Sequence, residues 1–401
     1  MSQLKIGPAR PQDHGELMEL LNNVFFRDDS PEEARDFLAL LPKLYKPEYR
    51  PWENNYCVWE DGVIKAAVGM YVTEAEIAGE RLRCGGIGNV AVARDSRRKG
   101  YMKLAMDAAM DAMKAADCAF GELGGQRQRY QFWGFERGGM AVNTSFSRKN
   151  LRHAFGTVAP GASTHGDNDL TPGWRADPVE PDDTAALAGI RALIEAAPLH
   201  VIHAPAAMYD ILSSWSERPY MIRHEGRFAG FFTLDRFGRS ASQLHLRNVT
   251  DLEMALRSVY AVLPEDVDSV SVVVPLWETA LLEKAEEIGE NAVPADTGMY
   301  TIFSWELMLR ALLRLQAQCR SLPDGTMTVR IEGMAGPETL RIAVKDGVPS
   351  VAAAETAPEQ TLGHLQAERF FLAPWSRWRV GCPLAQAWFP LPLMMHSLDK
   401  V

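Results

Sequence analysis

Three consecutive cations followed by a glycine are the residues with the clearest capacity for chemistry. Arg97, Arg98, Lys99 and Gly100 stand between the apolar run GNVAVA and an alanine- and methionine-rich run that begins at Tyr101. A helix start presents unpaired N–H groups and a positive dipole end, so it binds anions such as phosphates. The alternative is a solvated charge cluster. Cations at a helix start oppose the dipole, at a cost of roughly 0.3–1 kcal/mol each, so we expect an anion to compensate them.

The elements around this turn alternate between strands and helices. LKIGPA indicates a short strand, and PQDHGELMELLNNVF indicates a helix. From Cys57, β-rich runs separated by Asp61-Gly62 and Ala78-Gly79 predict an antiparallel meander. The strands CAFGELGG and MAVNTSFS follow, around a predicted loop, QRQRYQFWGFERGG. Apolar residues at three- and four-residue spacing predict an amphipathic helix after the cations: Met102, Met106, Ala109, Met110 and Met113.

Composition limits the class of protein. A chain of 401 residues favours two or three domains, and 47% hydrophobic with 23% charged residues is typical of a globular protein. A net charge of -10 argues against a nucleic-acid partner. The 5 cysteines include no CxxC pair, so we expect reduced thiols and no metal site. We find no signal core and no apolar window of membrane length, and therefore expect a cytoplasmic protein that does not bind membranes.

The segment NVAVARDSRRKGYMKLAM resembles the acetyl-coenzyme A segment of Gcn5-related N-acetyltransferases (GNATs), whose pattern is R/Q-x-x-G-x-G/A after a strand. Residues 97–102 match that pattern except at Met102, which replaces a small residue. The chain length, the RR-x-G variant and RYQFWGF resemble enhanced-intracellular-survival (Eis) acetyltransferases in particular. The resemblance implies an α/β (α+β) fold: a catalytic N-acetyltransferase domain over 1–155, a degenerate acetyltransferase-like domain over 156–295 and a sterol-carrier-protein-like domain over 296–401.

The resemblance also implies acetyl-CoA as co-substrate and no metal. Val90, Ala91 and Val92 would offer backbone groups to the pantetheine arm and the thioester oxygen. Gly125 and Gln126 would flank the other side of the cofactor. The phosphate-binding segment would comprise Arg97, Arg98, Lys99, Gly100, Tyr101, Met102 and Lys103.

The same resemblance suggests the acid and the base of the reaction. A Y-x-x-x-G-F/Y element assigns the proton-donating role to Tyr130. The base would be the terminal carboxylate of Val401, on an apolar tail, with Asp399 as a local substitute. Asn89 lies near the thioester strand but takes no proton at neutral pH, and the sequence does not orient Glu122.

Two later regions have less distinct motifs. A second meander turns at Glu225-Gly226 and leads to a helix that Thr250 would cap, with Glu253 completing a capping box. It has no cationic loop, so we expect no coenzyme A there. His200 and His203 would share a helix face as ordinary structural histidines. After residue 295, helices flank two strands, and we expect a leucine stripe to serve as core: Leu307, Leu309, Leu312, Leu313 and Leu315.

The acceptor is expected to be a primary amine, on a small cationic molecule or on a lysine side chain. Acidic residues at 28, 29, 32 and 33 would attract such a cation, or are solvated at a helix start. The rival functions are a non-catalytic acyl-CoA sensor and a lipid-binding protein. The resemblance further implies a homo-oligomer, of which a hexamer is one form.

Overall fold

The computed structural model of the chain describes residues 3–26, 36–156, 173–239 and 241–401. Within these ranges the strands form four sheets. The predicted acceptor-attracting residues Asp28, Asp29, Glu32 and Glu33 lie outside the described residues. No helix in the described ranges has the length and apolar character needed to span a membrane.

The first part of the chain alternates strands and helices as expected. The elements are β1 (Leu4–Pro8), α1 (His14–Phe25), α2 (Phe37–Leu40), α3 (Pro42–Tyr45), β2 (Asn55–Glu60), β3 (Val63–Ile77), β4 (Glu80–Val92), α4 (Tyr101–Ala115), β5 (Phe120–Leu123), α5 (Arg127–Tyr130) and β6 (Glu136–Gly138). The loop expected around residue 130 therefore contains the short helix α5. Asp61 and Gly62 both have positive φ angles, the conformation of a tight hairpin turn.

The middle part contains the second meander. Its elements are β7 (Ala141–Ser147), α6 (Arg148–Phe155), β8 (Trp174–Pro178), α7 (Thr184–Glu195), β9 (Leu199–Val201), α8 (Met208–Ser213), β10 (Arg218–His224), β11 (Arg227–Leu234), β12 (Ala241–Leu246), α9 (Leu252–Val262), β13 (Ser269–Pro275), α10 (Thr279–Ile288) and β14 (Asn291–Ala295). One antiparallel sheet has the order β12-β11-β10-β8, and a second has the order β13-β7-β14.

Two local predictions in this part are wrong. The Asn248 side chain, not Thr250, caps the turn before α9, and Glu253 pairs with Arg257 instead of completing a capping box. Asn248 stands two residues upstream of Thr250, so its carboxamide reaches the free N–H groups first. His200 lies on strand β9, not on a helix, because the segment pairs with the outer end of β3.

The last part supplies a fourth sheet and the chain end. Its elements are β15 (Gly298–Ile302), α11 (Trp305–Cys319), β16 (Gly325–Gly333), β17 (Gly336–Lys345), β18 (Val348–Ala353), β19 (Gln360–Gly363), α12 (His364–Phe371) and α13 (Pro383–Trp388). The sheet order is β18-β17-β16-β19. Four leucines of the predicted stripe in α11 are buried in a core shared with the first sheet: Leu309, Leu312, Leu313 and Leu315.

Strand pairings cross both expected domain boundaries. The first sheet has the order β1-β2-β3-β4-β5-β15-β6, so β15, from residues 298–302, separates β5 from β6. Strand β9 also joins this sheet, beside β3. Conversely, β7 lies inside the expected first domain yet pairs with β13 and β14. The boundaries at 155 and 295 stay a prediction, and the sheets on either side of them exchange strands.

Candidate active site

An open cleft of about 830 Å³ lies at the start of α4. The predicted residues that line it are Val90, Val92, Arg97, Arg98, Gly100, Tyr101, Met102 and Lys103. Residues that sequence reasoning did not assign to a site also line it: Val24, Phe25, Ser96, Arg129, Phe132 and Trp133. We call this volume the cation cleft. Ala91, Lys99, Gly125 and Gln126 do not line it, and Ala91 is buried on the opposite face of β4.

The backbone at the mouth of the cation cleft is shaped for close approach. Gly100 precedes the first residue of α4 and has a φ of 84°. A Cβ at this position would meet no atom within 4 Å, so the helix start is open to a ligand. Within the described residues no side chain caps α4, which leaves its first N–H groups available. Arg98 also has a positive φ, of 68°, which is uncommon for a residue with a side chain.

The cations of the loop differ in their partners. Lys99 Nζ lies 2.8 Å from Glu60 Oε2, and this pair raises the pKa of the lysine. Lys103 pairs with Asp107 at 2.5 Å. Arg97 and Arg98 are exposed and line the cleft. The two arginines are therefore the cations best placed to receive a phosphate.

The cleft has features that suit a ligand with phosphate and amide groups. Two exposed guanidinium groups and an uncapped helix start suit a diphosphate, and planar guanidinium groups bind phosphate oxygens in pairs. Strand β4 pairs with β5 only from Cys84 to Ile87 but continues to Val92, so its last residues have a free edge toward the cleft. Such an edge can pair with the amide groups of a pantetheine arm.

A bulge in the pairing of β3 with β4 lies next to the point where β4 and β5 separate. The pairing of β3 with β4 shifts register between Ala67 and Gly69, opposite Asn89, which has a positive φ of 41°. The Asn89 side chain donates to the Asn55 carboxamide at 2.8 Å. Asn89 therefore holds the bulge and has no proton-accepting role.

The end of the chain lies directly over this separation point. Val401, Lys400, Glu122 and Trp215 line a cavity of about 200 Å³, together with Ile87, Leu123, Gly124 and Gly298. We call it the tail cavity. A Cβ on Gly86 would lie 2.7 Å from Val401 Cγ2, and a Cβ on Gly88 would lie 2.9 Å from the Val401 carboxyl carbon. Glycine at both positions of β4 thus makes room for Val401.

Side chains from several elements hold the tail in place. Lys43 Nζ, on α3, donates to the carbonyl oxygens of Leu398 and Lys400. Trp215 Nε1 lies 3.4 Å from the Lys400 oxygen. Trp215 has φ 62° and ψ 22°, a left-handed conformation that is costly for a bulky residue. Lys400 Nζ donates to the Thr297 oxygen at 2.6 Å.

Asp399, the alternative base, is engaged elsewhere. Its Oδ1 lies 2.8 Å from His203 Nε2, and its side chain is 5% exposed. Burial raises the pKa of this carboxyl, but His203, His396 and Lys43 together outweigh burial and the net shift is downward. Asp399 is not among the residues that line the tail cavity.

Glu122 is the titratable group of the tail cavity that sequence reasoning left unassigned. Burial raises the pKa of its carboxyl to about 7, while Lys400, with Nζ 3.7 Å from Oε1, partly opposes the shift. No local pattern orients this side chain. Its position follows from parallel pairing with β4 and from Lys400, which is distant in sequence.

Tyr130 lies at the end of α5 and is 6% exposed. Burial raises the pKa of its phenol, so it carries a proton at neutral pH. Its ring lies against Gly125, where a Cβ would be 3.0 Å from Cε2. Tyr130 lines neither cavity, but it packs in one core cluster with Ile87 and Leu123, which line the tail cavity.

Comparisons with known proteins agree with this geometry. Residues 5–126 match the family model described as an acetyltransferase (GNAT) domain. A search of curated proteins gave no match. Among the described residues, no group of three or more His, Cys, Asp or Glu side chains could hold a metal ion.

The whole chain resembles several solved structures at low sequence identity. A conserved protein of Enterococcus faecalis V583, described as a probable N-acyltransferase, is 13% identical with a TM-score of 0.66, over 98% of this chain and 97% of that one. A GCN5-related N-acetyltransferase from Kribbella flavida is 14% identical with a TM-score of 0.63, over 100% and 99%. Eis1 from Mycobacterium abscessus is 11% identical with a TM-score of 0.61, over 100% and 99%.

At these identities the structural matches establish a shared fold, while the family match covers most of the residues that line the cation cleft. The β4 edge, the cationic loop and the start of α4 all fall inside the matched residues. Residues 5–126 of this chain are therefore similar to the acetyltransferase domain of the GNAT family.

Proposed function

We propose that the protein is an N-acetyltransferase that transfers the acetyl group of acetyl-CoA to a primary amine, on a small cationic molecule or on a lysine. The amine attacks the thioester directly, Tyr130 protonates the departing thiolate, and the terminal carboxylate of Val401 acts as base. The observation that carries the proposal is the position of Val401 over Gly86 and Gly88, where β4 and β5 separate.

The geometry supports separate binding sites for the cofactor and the amine in the two cavities. The cation cleft would bind the phosphates and pantetheine of acetyl-CoA through Arg97, Arg98, the α4 N-terminus and the edge of Val90–Val92. The tail cavity would receive the amine beside carboxylates, which attract a cation. Tyr130 belongs to the same core cluster as two residues that line the tail cavity, and it keeps its proton, as an acid must.

The last part of the chain would serve this site by positioning its end. Residues 391–396 are buried, and several elements bind residues 397–400. We favour this role over lipid binding, because the α11 leucines are already packed in the shared core. An Eis-like assignment, with the three expected domains, a homo-oligomeric state and a cytoplasmic location, belongs to the same proposal.

Two measurements test the proposal. The first is acetyl-CoA consumption across a panel of primary amines, for which we expect turnover with at least one acceptor. The second adds two glycines after Val401, which should abolish turnover because the extension moves the carboxylate away from its place over Gly86 and Gly88. The matched control is Val401→Ala, which keeps the carboxylate and most of the activity. Full activity in the extended protein, with coenzyme A binding intact, would exclude the terminal carboxylate.

A further inference from the structure

Glu122 is a buried carboxylate to which the proposed mechanism gives no role in proton transfer. It lies on β5 in parallel register with Gly86 of β4, and its side chain is 9% exposed. The Cβ position of Gly86 faces the Val401 side chain. Glu122 and Val401 therefore lie over the same part of the separating strands, and both line the tail cavity.

Charged and titratable groups surround Glu122 from several elements. Lys400 and Asp399 come from the tail, Lys43 from α3, Cys84 from β4 and Tyr300 from β15. The two lysines lower the pKa of the glutamate, whereas burial and Asp399 raise it, and the net result is a pKa of about 7. Burial keeps the Cys84 thiol and the Tyr300 phenol protonated, because it raises the pKa of each.

The acetylation of an amine requires the removal of two protons from nitrogen. At neutral pH the acceptor arrives as an ammonium ion, and it must lose one proton before its lone pair can attack. The second leaves after the N–C bond has formed and the C–S bond has broken. The sulfur gains one proton, so each turnover releases one proton to solvent.

The two protons differ greatly in acidity. An alkylammonium ion has a pKa of about 10, so its proton needs a base whose pKa lies near the working pH. Nitrogen that has been acylated but is still protonated is strongly acidic, so a weak base suffices for the second proton. The two protons therefore suit two separate acceptors, and the tail cavity presents two carboxyl groups, those of Glu122 and Val401.

Resting on the proposed function, we propose that Glu122 is a further catalytic residue, which takes the first proton from the acceptor ammonium while the Val401 carboxylate takes the second. Glu122 then releases its proton to solvent. The proton on Val401 returns to the Tyr130 phenolate left after thiolate protonation, and all three groups regain their starting states.

Two acceptor amines of similar size isolate the removal of the first proton. Ethylamine is an ammonium ion at pH 7, whereas 2,2,2-trifluoroethylamine is already neutral. We expect Glu122→Gln to lower kcat/KM for ethylamine by roughly 10²- to 10⁴-fold, and to leave trifluoroethylamine within about threefold of wild type. Glu74→Gln, the same change at an exposed position of β3, should alter neither value.

The pH profile gives a second readout. Wild-type kcat/KM for ethylamine should show an ionisation near pH 7 that Glu122→Gln lacks. Lys400→Met should move that ionisation to higher pH, because it removes a neighbouring positive charge. Calorimetric titration with coenzyme A confirms that each variant is folded.

Each other outcome overturns the inference in an identifiable way. If Glu122→Gln lowered kcat/KM equally with both acceptors, Glu122 would be a packing residue. If it lowered kcat/KM with neither acceptor, Glu122 would have no part in the reaction. Wild-type protein that acetylates neither acceptor nor any amine of the panel would refute the proposed function itself, and the inference with it.

Discussion

Two substitutions in β4, Gly86→Ala and Gly88→Ala, test the position of the chain end. We predict that a second change, Val401→Ala, restores activity in the first variant but not in the second. A Cβ at Gly86 would lie 2.7 Å from Val401 Cγ2, whereas ordinary carbon contacts are about 3.5–4.0 Å. Gly86→Ala must therefore displace Val401 by about 1 Å. A misplacement of that size in an active site costs on the order of 10²-fold in rate. We expect such a loss in kcat/KM for any accepted amine.

Removal of the obstructing methyl groups should restore activity. In Gly86→Ala/Val401→Ala the nearest tail atom is the Cβ of residue 401, at 3.5 Å, which is an ordinary contact. We expect this double variant to return to within about tenfold of wild type. Gly88→Ala should lose a similar factor but resist rescue, because its Cβ meets the carboxyl carbon at 2.9 Å and the oxygen at 3.3 Å.

Steady-state kinetics with calorimetric coenzyme A affinity is the assay. Gly15→Ala, in α1, is the matched control, because a Cβ there meets no atom within 4 Å. Wild-type rates in folded Gly88→Ala would refute the reasoning, since the terminal carboxylate would then have no defined place in the reaction. Equal rescue of both glycine variants by Val401→Ala would show that side-chain bulk, not the carboxylate, is what the strand accommodates.

Three further predictions concern the other site residues. Arg97→Ala and Arg98→Ala should each weaken coenzyme A binding by about 1.5–3 kcal/mol in calorimetric titration, and Lys99→Ala by less because Glu60 already holds that lysine. Unchanged affinity in the arginine variants would favour a solvated cluster. Tyr130→Phe should lower turnover by roughly 10²- to 10⁴-fold with unchanged coenzyme A affinity, and wild-type turnover would make Tyr130 a packing residue. Because burial raises the pKa of Glu122 from 4.5 to about 7, its contribution to stability is present below pH 4.5 and is lost as pH rises through 7. The Tm of Glu122→Gln minus that of wild type should therefore be larger at pH 8 than at pH 5, and a constant difference in thermal melts would contradict the raised pKa.

Local patterns were sufficient to predict the elements around the cation cleft. The apolar periodicity after Gly100 predicted α4, and the paired turn residues Asp61 and Gly62 predicted the hairpin between β2 and β3. These features depend on neighbours in sequence, and the physical rules for them are local. The same applies to the cationic loop, of which Arg97, Arg98 and Gly100 line the cleft while Lys99 does not.

Pairings between distant segments were not predictable from such patterns. MAVNTSFS was predicted to be a strand, but nothing in its residues shows that its partners are β13 and β14. The ion pair between Lys99 and Glu60 and the contact between Asp399 and His203 likewise depend on tertiary structure. His200 illustrates the same limit, because strand pairing with β3 decides the conformation of a short apolar segment.

The insertion of β15 between β5 and β6 has a consequence for how the molecule can be divided and made. A fragment that stops before residue 298 leaves one edge of β5 without its partner strand, and an unpaired strand edge is a template for aggregation. We therefore expect residues 5–126 expressed alone to be poorly soluble, although they match the acetyltransferase (GNAT) domain model. During synthesis the first sheet cannot be completed until residues 298–302 have been made. The long sequence separation between β5 and β15 makes this pairing slow. Nascent chains that have not yet reached residue 298 would therefore expose this edge of β5.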